Sequence, residues 1–297
     1  MFQRSSSFAC LLWPILAACA CAAPAAAAAA APPAATPARP FVETSYVVAP
    51  DTVGDFSLRS SKYDPAAKAA GAGFLYVLKG HPELTINVFV YPAGRKESAR
   101  AIADGMAGFR ADLAAAVSSG TYAELHELGA QRFELGIVVE PAPKAASAMD
   151  KALVAAIAEA QRVPGEKLRM ELRLDPEDAP ARSNGYLFYK QLYYFKVRVS
   201  AAAQDIGPDA FDTLADQAAR TLVPAIQVNN VGGCATPTLQ IDPNGKPDQM
   251  ALQLVRQSTL YQGFNCSKSA ADAGIDRTAG NAAVIEIAYD AGDWASP

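Results

Sequence analysis

Residues 167–174 read Lys-Leu-Arg-Met-Glu-Leu-Arg-Leu, charged and apolar side chains in strict alternation. Successive side chains of a β-strand point to opposite faces, so this run fits a half-buried strand and cannot lay an apolar stripe along a helix. The same period recurs at 84–91, where Leu84, Ile86, Val88 and Val90 oppose Thr85, Asn87, Phe89 and Tyr91. It returns at 132–139, with Phe133, Leu135, Ile137 and Val139 on one side, and at 192–199, where Tyr193, Phe195, Val197 and Val199 oppose Tyr194, Lys196 and Arg198. Buried parallel strands read as continuous apolar runs, so this patterning predicts an antiparallel sheet covered chiefly from one side.

Phe56, Leu58 and Ser60 mark a first strand, and 74–78 a second that pairs with 84–91 as a hairpin across the Gly80-His81-Pro82 turn. Residues 185–190 supply one more strand. Helical spacing then takes over where strands stop. Ile102, Met106, Phe109, Leu113 and Val117 form one stripe, closed by Ser118-Ser119-Gly120. Ser147 and Asp150 make an N-terminal capping pair before a helix through Met149, Leu153 and Ile157. Phe211, Leu214, Ala218, Leu222 and Ala225 line a third helix. The predicted order is three strands, helix, strand, helix, three strands, helix: an α+β sandwich with helices packed on an antiparallel sheet.

That order of elements over residues 41–227 resembles the PsbP, Mog1 and DcrB families. Val53-Gly54-Asp55-Phe56, taken with Val88-Phe89-Val90-Tyr91-Pro92-Ala93-Gly94-Arg95, is similar to a group of uncharacterised exported proteobacterial proteins. The second likeness implies export and brings no activity.

The first forty residues are an address and a spacer. Arg4 precedes an apolar stretch at 8–18, too short to span a bilayer, so 1–18 reads as a signal peptide. It runs into Leu16-Ala17-Ala18-Cys19, which resembles the lipobox of bacterial lipoproteins. The resemblance implies an acylated Cys19 as the mature N-terminus. With Ala20 and not Asp after the cysteine, it further implies the outer membrane, facing the periplasm, as the site of anchorage. The alternative is a plain secretory signal cut near Ala20-Cys21-Ala22 and a soluble periplasmic or secreted protein. From Ala22 to Pro40 all but Thr36 and Arg39 are Ala or Pro, a composition with nothing to bury and repeated helix stops. Residues 19–40 therefore read as a spacer, which the lipobox resemblance implies is lipidated at Cys19, reaching at most about 70 Å if extended at roughly 3.1 Å per residue.

The α+β domain is assigned to 41–229, and 230–297 to a small C-terminal lobe completing the main sheet, the alternative being a separate appended module. The lobe carries a strand at Thr238–Ile241, a turn at Asp242-Pro243-Asn244-Gly245, a short helix through Met250, Leu254 and Gln257, and a final strand at Val284–Tyr289. Cys234 and Cys266 are the cysteines left beyond the signal and spacer, and an exported chain usually pairs such leftovers as a disulfide. A free thiol or a two-cysteine ligand set is the alternative.

Chemistry is sparse. The 297 residues hold 26 Lys+Arg, 30 Asp+Glu and two His, for a net charge of −4. No basic block exists to neutralise a run of phosphates, so nucleic acid is not an expected partner. Removing Arg4 and Arg39 leaves −6 for 41–297, a surface that gains nothing from anionic lipid, so membrane association rests on the Cys19 anchor. His81 and His126 have neither a nearby nucleophile nor ligand spacing and read as solvated loop or helix-end residues. Asp242-Pro243-Asn244-Gly245-Lys246-Pro247-Asp248 has its glycine misplaced for a calcium loop and reads as a turn. The acids Asp175, Glu177 and Asp178 sit in a Pro-bounded loop. No catalytic residue, metal site or cofactor is assigned.

One constellation stands out. Arg169, Glu171 and Arg173 on one strand and Tyr194, Lys196 and Arg198 on another should line up across a common sheet face, with Tyr186, Phe188 or Tyr189 from the strand between. Faces combining Tyr and Arg are favoured at binding surfaces, although a solvated face with cross-strand ion pairs, or a face simply covered by a helix, looks the same in sequence. The expectation is a non-enzymatic lipoprotein that binds another cell-envelope component through this face. The alternative is a periplasmic enzyme or small-ligand carrier with a pocket between sheet and helices.

Overall fold

The computed structural model describes residues 39–136, 147–174, 179–290 and 292–294. The signal, Cys19 and the spacer up to residue 38 lie outside these residues, as do Ile137, Val139, Pro141 and Pro143, and the acids Asp175, Glu177 and Asp178.

The strands are β1 (Thr44–Pro50), β2 (Thr52–Val53), β3 (Phe56–Tyr63), β4 (Ala72–Leu78), β5 (His81–Pro92), β6 (Tyr122–Arg132), β7 (Gly165–Leu174), β8 (Ala179–Lys190), β9 (Tyr193–Ala202), β10 (Gln227–Val231), β11 (Cys266–Ser267) and β12 (Ala282–Ala288). The helices are α1 (Ser98–Ser118), α2 (Ala148–Ala160), α3 (Pro208–Ala225) and α4 (Pro247–Gly263). Eight strands form one sheet in the order β2-β3-β4-β5-β9-β8-β7-β6, every neighbouring pair antiparallel. A second sheet of four runs β11-β10-β1-β12. The fold is α+β, a large antiparallel sheet with packed helices.

Coverage from one side is corrected. Leu168 pairs with Gly185 and Gly185 with Arg198, whereas Lys167 pairs with Tyr186 and Tyr186 with Val197. Cross-strand partners share a face, so the apolar row Leu168, Met170 and Leu172 lies opposite the apolar row Phe195, Val197 and Val199. α1 covers the first, through Ile102, Met106, Phe109 and Leu113. α3 covers the second, through Phe211, Ala215, Ala218 and Leu222. β8, between them, is buried on both sides.

Each helix is positioned by specific chemistry. A β-carbon at Gly185 would meet Phe109 Cε1 at 2.2 Å, and one at Gly105 would meet Leu187 Cδ2 at 2.4 Å, so two glycines let α1 lie close on the sheet. On the other face Lys167, only 1% exposed, donates from Nζ to Asp216 Oδ1 at 2.7 Å, and the Tyr186 hydroxyl donates to the same oxygen at 2.5 Å. One turn earlier Asp212 accepts from Asn184 Nδ2 at 2.6 Å. A buried lysine is tolerated only when paired, so this cluster fixes the phase of α3 on β7 and β8 more than it adds net stability.

The chain ends meet in the second sheet. β1, whose sequence shows no alternation, pairs with β10 on one side and β12 on the other. Inside it, Ser45 Oγ donates to Asn230 Oδ1 at 2.6 Å. Cys234 and Cys266 form a disulfide, Cα to Cα 5.8 Å, across a sequence separation of 32. On the loop-closure account a cross-link of that span contributes about 3.7 kcal/mol. Residues 238–241 form no strand, and Gln240 is instead tied to the Gln257 side chain of α4. The 242–245 segment is a turn, with Gly245 N donating to Asp242 O at 3.1 Å.

The expected strand at 132–139 also shifts: β6 ends at Arg132, and beyond it Leu135 makes an isolated bridge to Val163. β6 is an exposed edge strand with register breaks between Tyr122 and Glu124 and between Glu127 and Gly129. Bulges of this kind erase the alternation that marks a strand. His126 lies on β6, 3.6 Å from Glu124, and is neither in a loop nor at a helix end.

Gly185→Ala is expected to destabilise the fold by about 1–3 kcal/mol in urea denaturation, the usual cost of overpacking, and Phe109→Ala in the same chain to recover part of that loss. Additive losses would show that Phe109 and Gly185 are not in the contact described.

Candidate functional site

The residues expected to form one face divide between two. Arg169, Glu171 and Arg173 lie on the α3 side of β7. There Arg169 reaches Asp212 at 3.8 Å and Arg173 faces Glu124 across the strands at 3.5 Å. Tyr194, Lys196 and Arg198 lie on the α1 side of β9. Alternation defines two faces within each strand but not the phase of one strand against the next, which the register sets. Tyr186 and Phe188 are buried on the α3 side, and Tyr189 is buried on the α1 side.

α1 lies over β6, β7 and β8, and beside it, over the β5–β9 surface, is a cleft of about 450 Å³. Phe109, Leu113 and Ala116 of α1 form its wall. Its floor follows the β5–β9 register, Thr85 beside Ser200, Asn87 beside Arg198, Phe89 beside Lys196. Lys196 Nζ is 3.0 Å from Asp112 of α1 and lies over the rings of Phe89, Tyr91 and Phe109 at 5.2–5.6 Å. Burial pushes the Tyr91 phenol well above its ordinary range, so it stays a neutral hydroxyl there. Tyr194 is an anchor for α1: its hydroxyl donates to Ala101 O at 2.9 Å.

Arg198 differs from Lys196. Its Nε donates to Ser183 Oγ at 3.1 Å, its Nη1 donates to the Tyr122 hydroxyl, and its guanidinium lies 5.2 Å from that ring centre. Among the described residues no carboxylate pairs with it. A half-buried guanidinium held by neutral groups at the bottom of an open cleft is oriented for a carboxylate or phosphate, which it can meet in a two-pronged fashion.

A second, larger cavity of about 840 Å³ opens between α2, α4 and the β8–β9 turn. That turn is Gln191-Leu192, with φ of 53° and 70°. Two-residue hairpins of this form ordinarily use Asn or Gly, and a bulky residue with positive φ is strained. The surroundings hold it: Val228 N donates to Gln191 Oε1 at 2.8 Å, Asn230 Nδ2 donates to Gln191 O at 3.1 Å, and the Leu192 side chain is in the core. No Gly or Asn marks the turn; the break between the strands expected at 185–190 and 192–199 falls here, while the turn's form is not visible in its residue types. Just before it Lys190 Nζ donates to Val223 O and Ile226 O, each at 2.8 Å, closing the carboxyl end of α3, and lies 4.6 Å from the Phe195 ring centre. Burial pulls its ammonium down to about 7.

No protein-family model matches the chain, and no curated protein matches it in sequence. Among solved structures it is similar to a cyanobacterial PsbP, CyanoP, from Synechocystis, at 10% identity and a TM-score of 0.35, over 62% of this chain and 92% of that one. It is also similar to a protein of unknown function from Pseudomonas aeruginosa, at 10% identity and a TM-score of 0.27, over 58% of this chain and 98% of that one. Among the described residues no helix is long and apolar enough to cross a membrane.

The unfolded chain keeps the Lys190 proton up to its ordinary value near 10.5, while the folded chain releases it above about 7. Between those values the unfolded state binds more protons, so stability should rise with pH, by at most about 1.4 kcal/mol per unit. Urea midpoints from pH 7 to 9 should climb in the parent and lose that component in Lys190→Met. An unchanged slope in the variant would place the titration elsewhere.

Proposed function

We propose that this protein is a non-enzymatic binding module of the cell envelope, lipidated at Cys19 and held at the outer membrane facing the periplasm, with its folded part standing off on the Ala/Pro spacer. Its α1 cleft takes an anionic group of another envelope component. The observation that carries this reading is Arg198: a guanidinium with only neutral partners, in a cleft whose two acids are each held by another group, Asp112 by Lys196 and Glu83 by His81, and whose lining otherwise includes Thr85, Asn87, Ser200 and apolar residues of α1. Binding sites combine an apolar lining with a few convergent polar groups, and a cation without a counter-ion supplies the selectivity. Lys196 adds a second positive charge whose partner, Asp112, is itself largely exposed and free to exchange. The lipid anchor rests on the lipobox resemblance, since two or three acyl chains suffice to hold a domain that has no spanning helix.

Two measurements test the halves separately. Palmitate labelling should disappear in Cys19→Ser, and labelling that persists would refute the anchor. A photoreactive residue at Thr85 should give a discrete crosslinked species in the native envelope. Arg198→Gln should reduce its yield about tenfold with little change in melting temperature, as one lost charge-assisted pair implies. The same species at equal yield in Arg198→Gln would remove Arg198 from the site.

A further inference from the structure

The cavity between α2, α4 and the β8–β9 turn is separate from the α1 cleft. All three non-glycine residues with positive φ among the described residues, Gln191, Leu192 and Asn265, line it. Strained backbone persists where surrounding structure over-determines it, and it gathers at ligand sites. Here it shapes one wall of the cavity from two distant parts of the chain.

The lining is amphipathic. Small residues Ala152, Ala155 and Ala156 of α2 leave a trough opposite Leu260 of α4, which is 56% exposed, with Leu192 and Phe264 beyond. A smaller cavity of about 540 Å³ extends the trough past Ile157 and Leu254, both also exposed. Charge in the larger cavity is unbalanced even without Lys190, whose proton burial loosens: Arg162 and Arg256 against Glu159. Glu159 is engaged by Arg162 at 3.3 Å, Lys190 is committed to the end of α3, and no ion pair engages Arg256 among the described residues. The carboxyl ends of α2 and α4 repel an anion, so a negative group is best placed at Arg256, about 10 Å back along α4 from Gly263.

The entry of the folded part lies next to this site. Phe41 packs edge-on against Phe264 at 6.0 Å, and Arg39 donates to Lys268 O at 3.0 Å, so the spacer joins the fold beside one wall of the cavity.

We infer that this cavity binds a single-chain amphiphile, its carboxylate or phosphate head at Arg256 and its alkyl chain in the trough between α2 and α4. The volume suits a molecule of that size, and the apolar wall accounts for exposed leucines that a monomer would otherwise leave to water.

Isothermal titration of the full chain with decanoate and with decyl phosphate, both below their micelle concentrations, tests this. Saturable binding with a micromolar Kd is expected for at least one of them, and the tighter of the two tells a fatty acid from a phosphate-headed lipid. Acetate and inorganic phosphate alone should bind at least a hundredfold more weakly. Ala155→Trp, at an exposed helix position, should fill the trough and weaken binding tenfold or more without changing the melting temperature, while Arg256→Gln should weaken it about fivefold. Arg198→Gln, in the other cleft, should leave it unchanged. Absence of saturable binding, equal binding of the bare headgroups, or full binding by Ala155→Trp would overturn the inference. Loss in Arg198→Gln alone would move the ligand to the α1 cleft.

Discussion

The pairing of Leu168 with Gly185 and of Gly185 with Arg198 is the constraint on which the rest depends. It joins two alternating strands, β7 and β9, through the doubly buried β8 into a sheet with an apolar patch on each face, displaced from one another. A sheet so patterned needs two covers, and α1 and α3 supply them from opposite sides. The missing side chain at Gly185 belongs to the same logic, since it makes room for Phe109 where α1 comes down on β8. A slip of one residue would carry Arg198 under α3 and Phe195 towards the cleft, exchanging buried and exposed sets at a cost no local change could offset.

The polar groups follow from the same register. Lys167 lands under α3, where Asp212 and Asp216, one helical turn apart, receive it together with Asn184 and Tyr186. Arg198 lands under the edge of α1, where Asp112 is taken by Lys196 and, among the described residues, no carboxylate pairs with the guanidinium. One buried cation is thereby structural and the other is available. The second sheet adds a closure of long range, with β1 held between β10 and β12 and the disulfide fastening β11 to the segment after β10. Lys68 reaches Asp290 at 2.7 Å and Asp293 at 3.0 Å, an exposed link between the early chain and its end that contributes little energy alone.

Much of this was legible in the sequence because it is local. The stripe Ile102, Met106, Phe109 and Leu113, the capping pair Ser147 and Asp150, and the alternation of β5, β7 and β9 each appear where expected. The Cys234–Cys266 pairing needed only two unclaimed cysteines. What escaped is non-local or irregular. β1 is buried at Ser45, Tyr46 and Val47 in succession, because it is central in its sheet, so it shows no alternation. β6 hides behind its bulges, and at Gln191-Leu192 the break between strands was legible but the left-handed form of the turn was not, since such residues rarely adopt it. The site was read half correctly for one reason: Tyr194, Lys196 and Arg198 do share a face, but whether Arg169 and Arg173 join them depends on a register that no single strand encodes.

Arg198 is the receptive cation of the α1 cleft, and Arg169 is a bystander on the opposite face. The most direct measurement is a side-chain Nε–Hε spectrum of the arginines, recorded while the full chain is titrated with inorganic phosphate and then with acetate. The account requires the Arg198 resonance to move saturably, with Tyr122 and Ser183 responding beside it, while Arg169 stays where it is. Equal, unsaturating drifts of both arginines, or an Arg198 resonance that does not move, would contradict it.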